Sequence, residues 1–301
     1  MCRRKLSVVI PAYNEDGTIA ATVEDLRSAL VEEGIPFEII VVNDNSTDST
    51  AAVVEAIAVC EPRVRMLHRR PPGGFGRAIR TGLDAVSGDF VVIYMADYSD
   101  HPADVIAYYR KLEEGYDCVF GSRFIKGSHV ENYPWMKLVV NRIVNKMIQW
   151  LFWCRFNDLT NAFKAYRAEV IRAAGPFRAS HFNITIEMSL SALIRKYHIV
   201  QIPISWSGRT AGVSKLKMVE MGRRYLSTLA KVMAERFLIG DDVLAERLAL
   251  HAQEADETAS LEDRVRALED WQDASLRRER TQASEDCNAD LKTNLLLTKP
   301  R

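Results

Sequence analysis

The chain has 301 residues, 48% hydrophobic and 27% charged, with 40 acidic and 40 basic side chains, enough for one large α/β domain or two smaller ones. Its five cysteines, at 2, 60, 118, 154 and 287, form no C-x-x-C pair, which argues against a zinc site or a disulfide framework and for a reducing compartment. Too few apolar residues precede Pro11 for a secretory leader, and no uncharged apolar run reaches the 18 or so residues that a bilayer requires, so a cytoplasmic location is expected.

In chain order, Leu6 to Ile10 is a short apolar run stopped by Pro11, which reads as a buried strand. Turn residues Asn14, Asp16 and Gly17 follow, then Ile19, Val23, Leu26 and Leu30 at helical spacing. A second buried strand, Glu38 to Val42, runs into Asn43-Asp44-Asn45-Ser46, and the next helix carries Val53, Val54 and Ile57 inward. A third strand, about Val64 to Leu67, precedes the loop HRRPPGGFG and a helix from about Gly76 to Val86. The fourth strand, Phe90 to Tyr94, ends abruptly at Asp97 and Asp100, with His101-Pro102 and another helical pattern behind them. Strands alternating with helices at these spacings predict a parallel sheet covered on both faces, because parallel neighbours need crossover connections.

Acids fall at the ends of two of these strands, Asp44 and Asp97. Two aligned ends suggest a site, since strand tips face the crevice where open α/β sheets bind ligands, and the acid cluster Asp97 and Asp100 suits a hard cation and a diphosphate. Asp100 is equally placed to cap the following helix. The loop PPGGFGR reads either as a backbone cradle for phosphate or as a plain tight turn, since it lacks the P-loop spacing.

The composition changes between 132 and 157, where Lys137, Arg142, Lys146 and Arg155 accompany Trp135, Trp150 and Trp153 without one acid. A basic, Trp-rich amphipathic helix either lies in a membrane interface or faces a core with a solvated basic stripe. Next come DLTNAFKAYR, a helix around Ile186 to Lys196, an edge-like segment IVQIPISW and the cation-bearing GRTAGVSKLK, with Arg209, Lys215 and Lys217. Glu187, in an apolar helix start, is a candidate base or a structural carboxylate. Residues 241–301 hold 15 acids and 9 bases against 25 and 31 in 1–240, so a charged helical and then disordered tail follows a moderately basic body. That balance suits phosphate ligands or an anionic membrane surface; a nucleic-acid partner is not expected.

The blocks PAYNE, VVNDNSTDST, MADYSDHP, GSRFIKG, DLTNAFKAYR and GRTAGVSKL, in this order and spacing from about Lys5 to Leu229, resemble the family 2 glycosyltransferases, in the branch containing dolichyl-phosphate mannose synthases. The resemblance implies a glycosyltransferase A-type, Rossmann-like fold: a mostly parallel sheet flanked by helices in a catalytic domain over 1–240, with a helical C-terminal extension. It places Pro11, Tyr13 and Glu15 at the nucleoside and Val42 and Asp44 at base and ribose. Ala96, Asp97 and Ser99 fall on the metal and diphosphate segment, Asp97 and Ser99 as ligands of Mg²⁺ or Mn²⁺. Arg123, Arg209 and Lys215 fall on positions that contact donor and phosphate groups.

The implied reaction is inverting transfer of a sugar, mannose before glucose, from a nucleotide diphosphate such as GDP-mannose to a polyprenyl or dolichyl phosphate. Such a protein is expected peripherally on the cytoplasmic face of a membrane, through amphipathic interfacial helices at 132–157 and 215–238 or a membrane-anchoring protein partner. A hydroxyl acceptor on a glycan or lipid, and a non-catalytic nucleotide-sugar-binding regulatory subunit, are the alternatives. Two departures stand out: Met95 occupies the place of the usual first acid of D-x-D, and Asn43 stands where an Asp usually precedes Asp44. A thioether is a poor ligand for a hard cation, so Asp97 and the diphosphate oxygens are expected to carry the metal.

Overall fold

The structure, a computed structural model, describes residues 3–208 and 222–238. Its frame is a seven-stranded sheet of order β3-β2-β1-β4-β7-β5-β8. β1 (Leu6–Ala12), β2 (Phe37–Asn43), β3 (Val64–His68) and β4 (Phe90–Ile93) run parallel, joined by α1 (Ile19–Glu32), α2 (Thr50–Cys60) and α3 (Phe75–Leu83). α4 (Pro102–Glu113) leads to β5 (Cys118–Ser122), then β6 (His129–Glu131) and α5 (Trp135–Phe152). β7 (Lys164–Arg167), α6 (Ala168–Ala174), α7 (Ile184–Ile194), β8 (Ile199–Pro203), β9 (Ser205–Ser207) and a helix over 222–238, α8, complete the described chain.

β1 and β2 are buried along their whole length, which is why they read as unbroken apolar runs: both sheet faces are covered. Alternate residues serve opposite cores. Val9, Ile40, Val42, Val91 and Ile93 pack towards α3, α6, α7 and α8, while Leu6, Val8, Ile10, Ile39, Val41 and Val92 pack towards α1 and α4. The registers Ala12 to Asn43 and Val9 to Ile93 keep the tips of β1, β2 and β4 level, so the loops behind Pro11, Asp44 and Asp97 share one rim.

One strand departs from the parallel expectation. β7 lies antiparallel between β4 and β5. Asn157 and Asp158, which precede it, are already held at the tip of β5, where the Ser122 hydroxyl donates to Asn157 Oδ1 (2.6 Å) and the Arg123 amide to Asp158 Oδ2 (3.1 Å). A chain that starts at the tip end has only the downward direction open to it. The edge-like reading of IVQIP holds: β8 is the sheet margin, paired with β5 alone in the main sheet.

Candidate active site

The side of the rim formed by β1 and β2 is built by loops that fasten one another. Asn14, in the left-handed region at φ 52°, donates its amide to Ser46 Oγ (3.0 Å), and its Oδ1 accepts from the Thr47 amide (2.8 Å). The Glu15 amide donates to Thr50 Oγ1 (2.8 Å), and Thr18 Oγ1 reaches the carbonyl of Ala96 (2.9 Å) behind β4. Pro11, paired with Val42 in the sheet, is buried, whereas Tyr13 is exposed at the crevice mouth. Asp44 is buried and accepts from Arg69, at the tip of β3, and from the amide of Gly74. Of the sequence-derived set, Pro11, Tyr13, Glu15, Val42, Asp44 and Ala96 are therefore brought together.

The acid loop lies beside them. Asp97 Oδ1 accepts from the hydroxyl (2.6 Å) and the amide (3.3 Å) of Ser99, so the two residues placed on the metal segment form one oxygen-rich unit. Asp100 turns inward: its Oδ2 accepts from the Met95 amide (3.1 Å), its carbonyl accepts from the Tyr94 hydroxyl (2.7 Å), and its backbone bridges to Trp206. Burial, with the Asp97 charge nearby, pushes the Asp100 carboxyl well above the usual carboxylate range. Asp100 is thus a buried brace of the loop; capping falls to His101, whose Nδ1 accepts from the Ala103 amide (3.3 Å). Among the described residues no group of three or more His, Cys, Asp or Glu is arranged to hold a metal.

Arg123 sits at the opposite wall. Its Nε and Nη2 donate to the two oxygens of Asp158, each at 2.8 Å, and its guanidinium lies 5.3 Å from the Tyr133 ring, 5.4 Å from Phe124 and 5.9 Å from Trp206. Burial works against this cation, but the Asp158 carboxylate outweighs it and holds the guanidinium charged. The pair is sealed, with Asp158 fully buried and the Arg123 side chain 10% exposed. Behind it, Lys164 donates to the carbonyls of Leu159 (2.7 Å) and Asn161, and burial lowers its ammonium to about 7. Asn145 Oδ1 takes the Leu159 amide (2.7 Å), Asn141 donates to Thr160 Oγ1 (2.8 Å) and Arg142 to the Asn157 carbonyl (3.1 Å), so α5 grips the loop that seats Arg123.

Several expectations resolve against this geometry. The PPGGFGR loop is a turn and not a phosphate cradle: the Gly76 and Arg77 amides at the start of α3 both donate to the Ser180 carbonyl (3.1 and 3.3 Å), and a Cβ on Gly76 would stand 2.5 Å from the Ala179 carbonyl. Glu187 is structural. Its carboxylate accepts from the Arg178 and Ala179 amides and from Lys231 Nζ (2.6 Å) on α8, which leaves it buried and saturated. Arg209 and Lys215, residues 215–221 of the second expected interfacial helix, and the tail from 241 lie outside the described residues. The chain does reach the rim just before Arg209, because Ser207 donates to the Ser99 carbonyl (3.1 Å) and Gly208 to that of Glu131 (2.9 Å). Asp158, the aromatic wall and Arg69 escaped residue-by-residue reading; Arg69 could have been found as the third strand tip beside Asp44.

A mostly parallel sheet flanked by helices, with one antiparallel strand and a rim of strand tips carrying an Asp-Ser oxygen pair near Arg123, is the architecture of A-type glycosyltransferases. The chain belongs to glycosyl transferase family 2, whose sequence model matches residues 7–175. It is 30% identical over 215 residues to the polyprenol monophosphomannose synthase of Mycolicibacterium smegmatis, covering 69% of this chain and 80% of that protein. It is 31% identical over 221 residues to the dolichol-phosphate mannosyltransferase of Pyrococcus furiosus, covering 71% of this chain and 59% of that one. Among solved structures, glucosyl-3-phosphoglycerate synthase of Mycobacterium tuberculosis, in complex with Mn²⁺, UDP and glucosyl-3-phosphoglycerate, superimposes with a TM-score of 0.58 at 26% identity, over 77% of this chain and 80% of that one. The regulatory-subunit alternative gives way to a glycosyltransferase.

Proposed function

We propose that the protein transfers mannose, with inversion, from a nucleotide diphosphate donor such as GDP-mannose to the phosphate of a polyprenol or dolichol at the cytoplasmic face of a membrane. The supporting observation is where α5 sits. The helix that grips the Arg123 loop turns an apolar face to solvent: Trp135, Ile143 and Trp150 are exposed, and Trp153, which ends the helix in the left-handed region, is 87% exposed. No helix among the described residues is long and apolar enough to cross a membrane. An exposed, Trp-rich face beside basic side chains supports laying α5 on a bilayer surface. A lipid-borne phosphate would then arrive at the wall that holds Arg123.

The chemistry follows from the groups. Cleaving the anomeric C–O bond leaves a nucleoside diphosphate, and fixed cations in a water-poor cleft stabilise the charge that builds on it. Asp97 with Ser99 is a minimal set of hard oxygen ligands, one carboxylate and one hydroxyl, that fits Mg²⁺ or Mn²⁺ when substrate phosphates complete the coordination. Such an ion would neutralise charge on the diphosphate oxygens. Arg209 and Lys215, in the segment following Gly208, would add further positive charge there. The acceptor needs no base, since a phosphate monoester with a second pKa near ~6 is largely dianionic at neutral pH. Arg123, locked by Asp158, would supply a pre-oriented positive field for that anion.

The similarity to glucosyl-3-phosphoglycerate synthase keeps a hydroxyl acceptor as the second reading, although Glu187, the acid once available as its base, is fully engaged by Arg178, Ala179 and Lys231. The experiment offers purified protein GDP-mannose or UDP-glucose with short-chain polyprenyl phosphate or 3-phosphoglycerate. Polyprenyl-phosphate mannose is the expected product; transfer to 3-phosphoglycerate alone would overturn the proposal.

A further inference from the structure

Behind the rim, reaching Arg69 at the tip of β3, a cleft of roughly 710 Å³ opens between α3 and the connection from α6 to α7, a volume in the range of small-molecule sites. Four arginines line it, Arg69, Arg77, Arg80 and Arg172, against a single acid, Asp84. Among the described residues, only Arg69 of the four pairs with a carboxylate, that of Asp44. Arg77 Nη1 is spent on the Gly73 carbonyl (2.8 Å) and Arg80 Nη1 on that of Phe177 (3.0 Å), bonds that fix the two guanidinium planes without neutralising them. Arg80 Nε is buried with no acceptor at all, an uncompensated donor of a kind that folds seldom keep. Arg172 projects from the far side, exposed.

Two half-buried guanidinium groups fixed by carbonyls and a third, exposed one line a single concave surface that also holds the unsatisfied Arg80 Nε, and each planar fork matches the oxygens of a phosphate. We infer that this cleft is a second anion site, which takes a small ligand bearing a phosphate monoester or diphosphate. It meets the crevice only through Arg69, which turns its guanidinium to Asp44: α3 presents Arg77 and Arg80 to this cleft along its flank, with Asp84 at its end, whereas its N-terminal amides are closed by Ser180. The ligand is either free in solution or the headgroup of a lipid; the recognising chemistry is shared.

The probes are inorganic pyrophosphate, titrated calorimetrically into full-length protein with chelator and at constant ionic strength, and phosphatidic acid in phosphatidylcholine vesicles, followed by co-sedimentation. Arg77→Gln and Arg172→Gln remove charge from the cleft without touching Asp44 or Asp97. The expected result is that one probe binds and that each variant weakens it at least tenfold, while Asp97→Asn leaves chelator-treated binding unchanged; which probe binds separates a soluble ligand from a headgroup. Absence of binding by both probes, or binding to which both variants are indifferent, overturns the inference. Circular dichroism and an unchanged melting temperature for Arg172→Gln guard against misfolding as the cause.

Discussion

The two halves of the sheet reach their tips in opposite ways. From β1 to β4 the strands are parallel, and their loops are tied by short side-chain-to-backbone bonds at Asn14, Glu15, Thr18 and Asp44, with Asp44, Asp97 and Ser99 buried in the rim. From β5 to β8 an antiparallel strand intrudes, and the tip is held by one buried ion pair, Arg123 with Asp158, walled by aromatic rings. The first half holds one ion pair, Asp44 with Arg69, among many neutral contacts; the second holds a bidentate, sealed pair braced by neutral bonds from α5. Damage should therefore be graded on the β1–β4 side and abrupt where the Arg123–Asp158 pair is broken.

The largest expected effect tests that contrast directly. Asp158→Ala strands a buried guanidinium, and breaking one partner of a buried pair costs about 3–5 kcal/mol, so a drop of that size in unfolding free energy is expected from denaturant titration. Replacing both partners, Arg123→Met with Asp158→Leu, should recover most of the stability and none of the transfer activity. Full activity in a folded double variant would show that the wall is scaffold only. On the other half, Asp97→Asn should leave stability within about 0.5 kcal/mol, as the Ser99 bonds can be kept, while kcat falls roughly 10²-fold or more. Initial rates across a metal titration check this. An Asp97→Asn enzyme of parental rate, indifferent to chelator, would mean that the diphosphate charge is carried by cations of the protein.

The same contrast explains what could be seen in the sequence. The parallel half is local: each strand is a solid apolar run, each tip an acid or an Asn, and Asp44 and Asp97 stand out because they end such runs. The antiparallel half is written non-locally. Lys164 to Arg167 carries no strand signal in the sequence, since charged Lys164 and Arg167 break the apolar run; Lys164 is nevertheless buried because Leu159 and Asn161 offer their carbonyls. Arg123 was legible through its family block, but its partner lies 35 residues on, and no spacing rule joins them. Asp100 was misleading for a related reason. Three residues from Asp97 it resembles a second ligand, yet the backbone at Met95 and Trp206 draws it inward.

A smaller effect is expected at the far end of the nucleotide half, remote from the rim. Glu38, buried in β2, accepts from Ser7 Oγ (2.6 Å) and from the amide and hydroxyl of Ser87 (both 2.8 Å), with Arg65 beside it. Burial alone would raise its carboxyl, but these bonds prevail and hold it down at about 2. A depressed folded-state value means that the stabilisation is complete above the unfolded value near 4.5 and is lost as pH falls from there towards 2. Glu38→Gln should cost about 2 kcal/mol at pH 7, a gap that narrows on acidification through this window, with transfer kinetics unchanged at pH 7. A gap independent of pH between 7 and 3 would mean that the lost packing, and not the charge, accounts for the difference.

The smallest effect should fall on the arginine half, at its outer surface, and it separates a wall that meets a membrane from one that merely closes a domain. Trp150 and Trp153 are 79% and 87% exposed, so Trp150→Ala with Trp153→Ala removes almost nothing from the core and should not shift the melting temperature. On a bilayer the outcome differs. Each indole covers enough apolar area that even partial burial at roughly 25 cal/mol per Å² is worth a kcal/mol or more, so the pair of substitutions should weaken partition to anionic vesicles by about tenfold. Transfer to long-chain polyprenyl phosphate in vesicles should fall in step, while transfer to a short-chain acceptor in solution holds. If vesicle binding and both transfer rates are unchanged, α5 is a solvent-facing helix, and the acceptor has to reach Arg123 by another route.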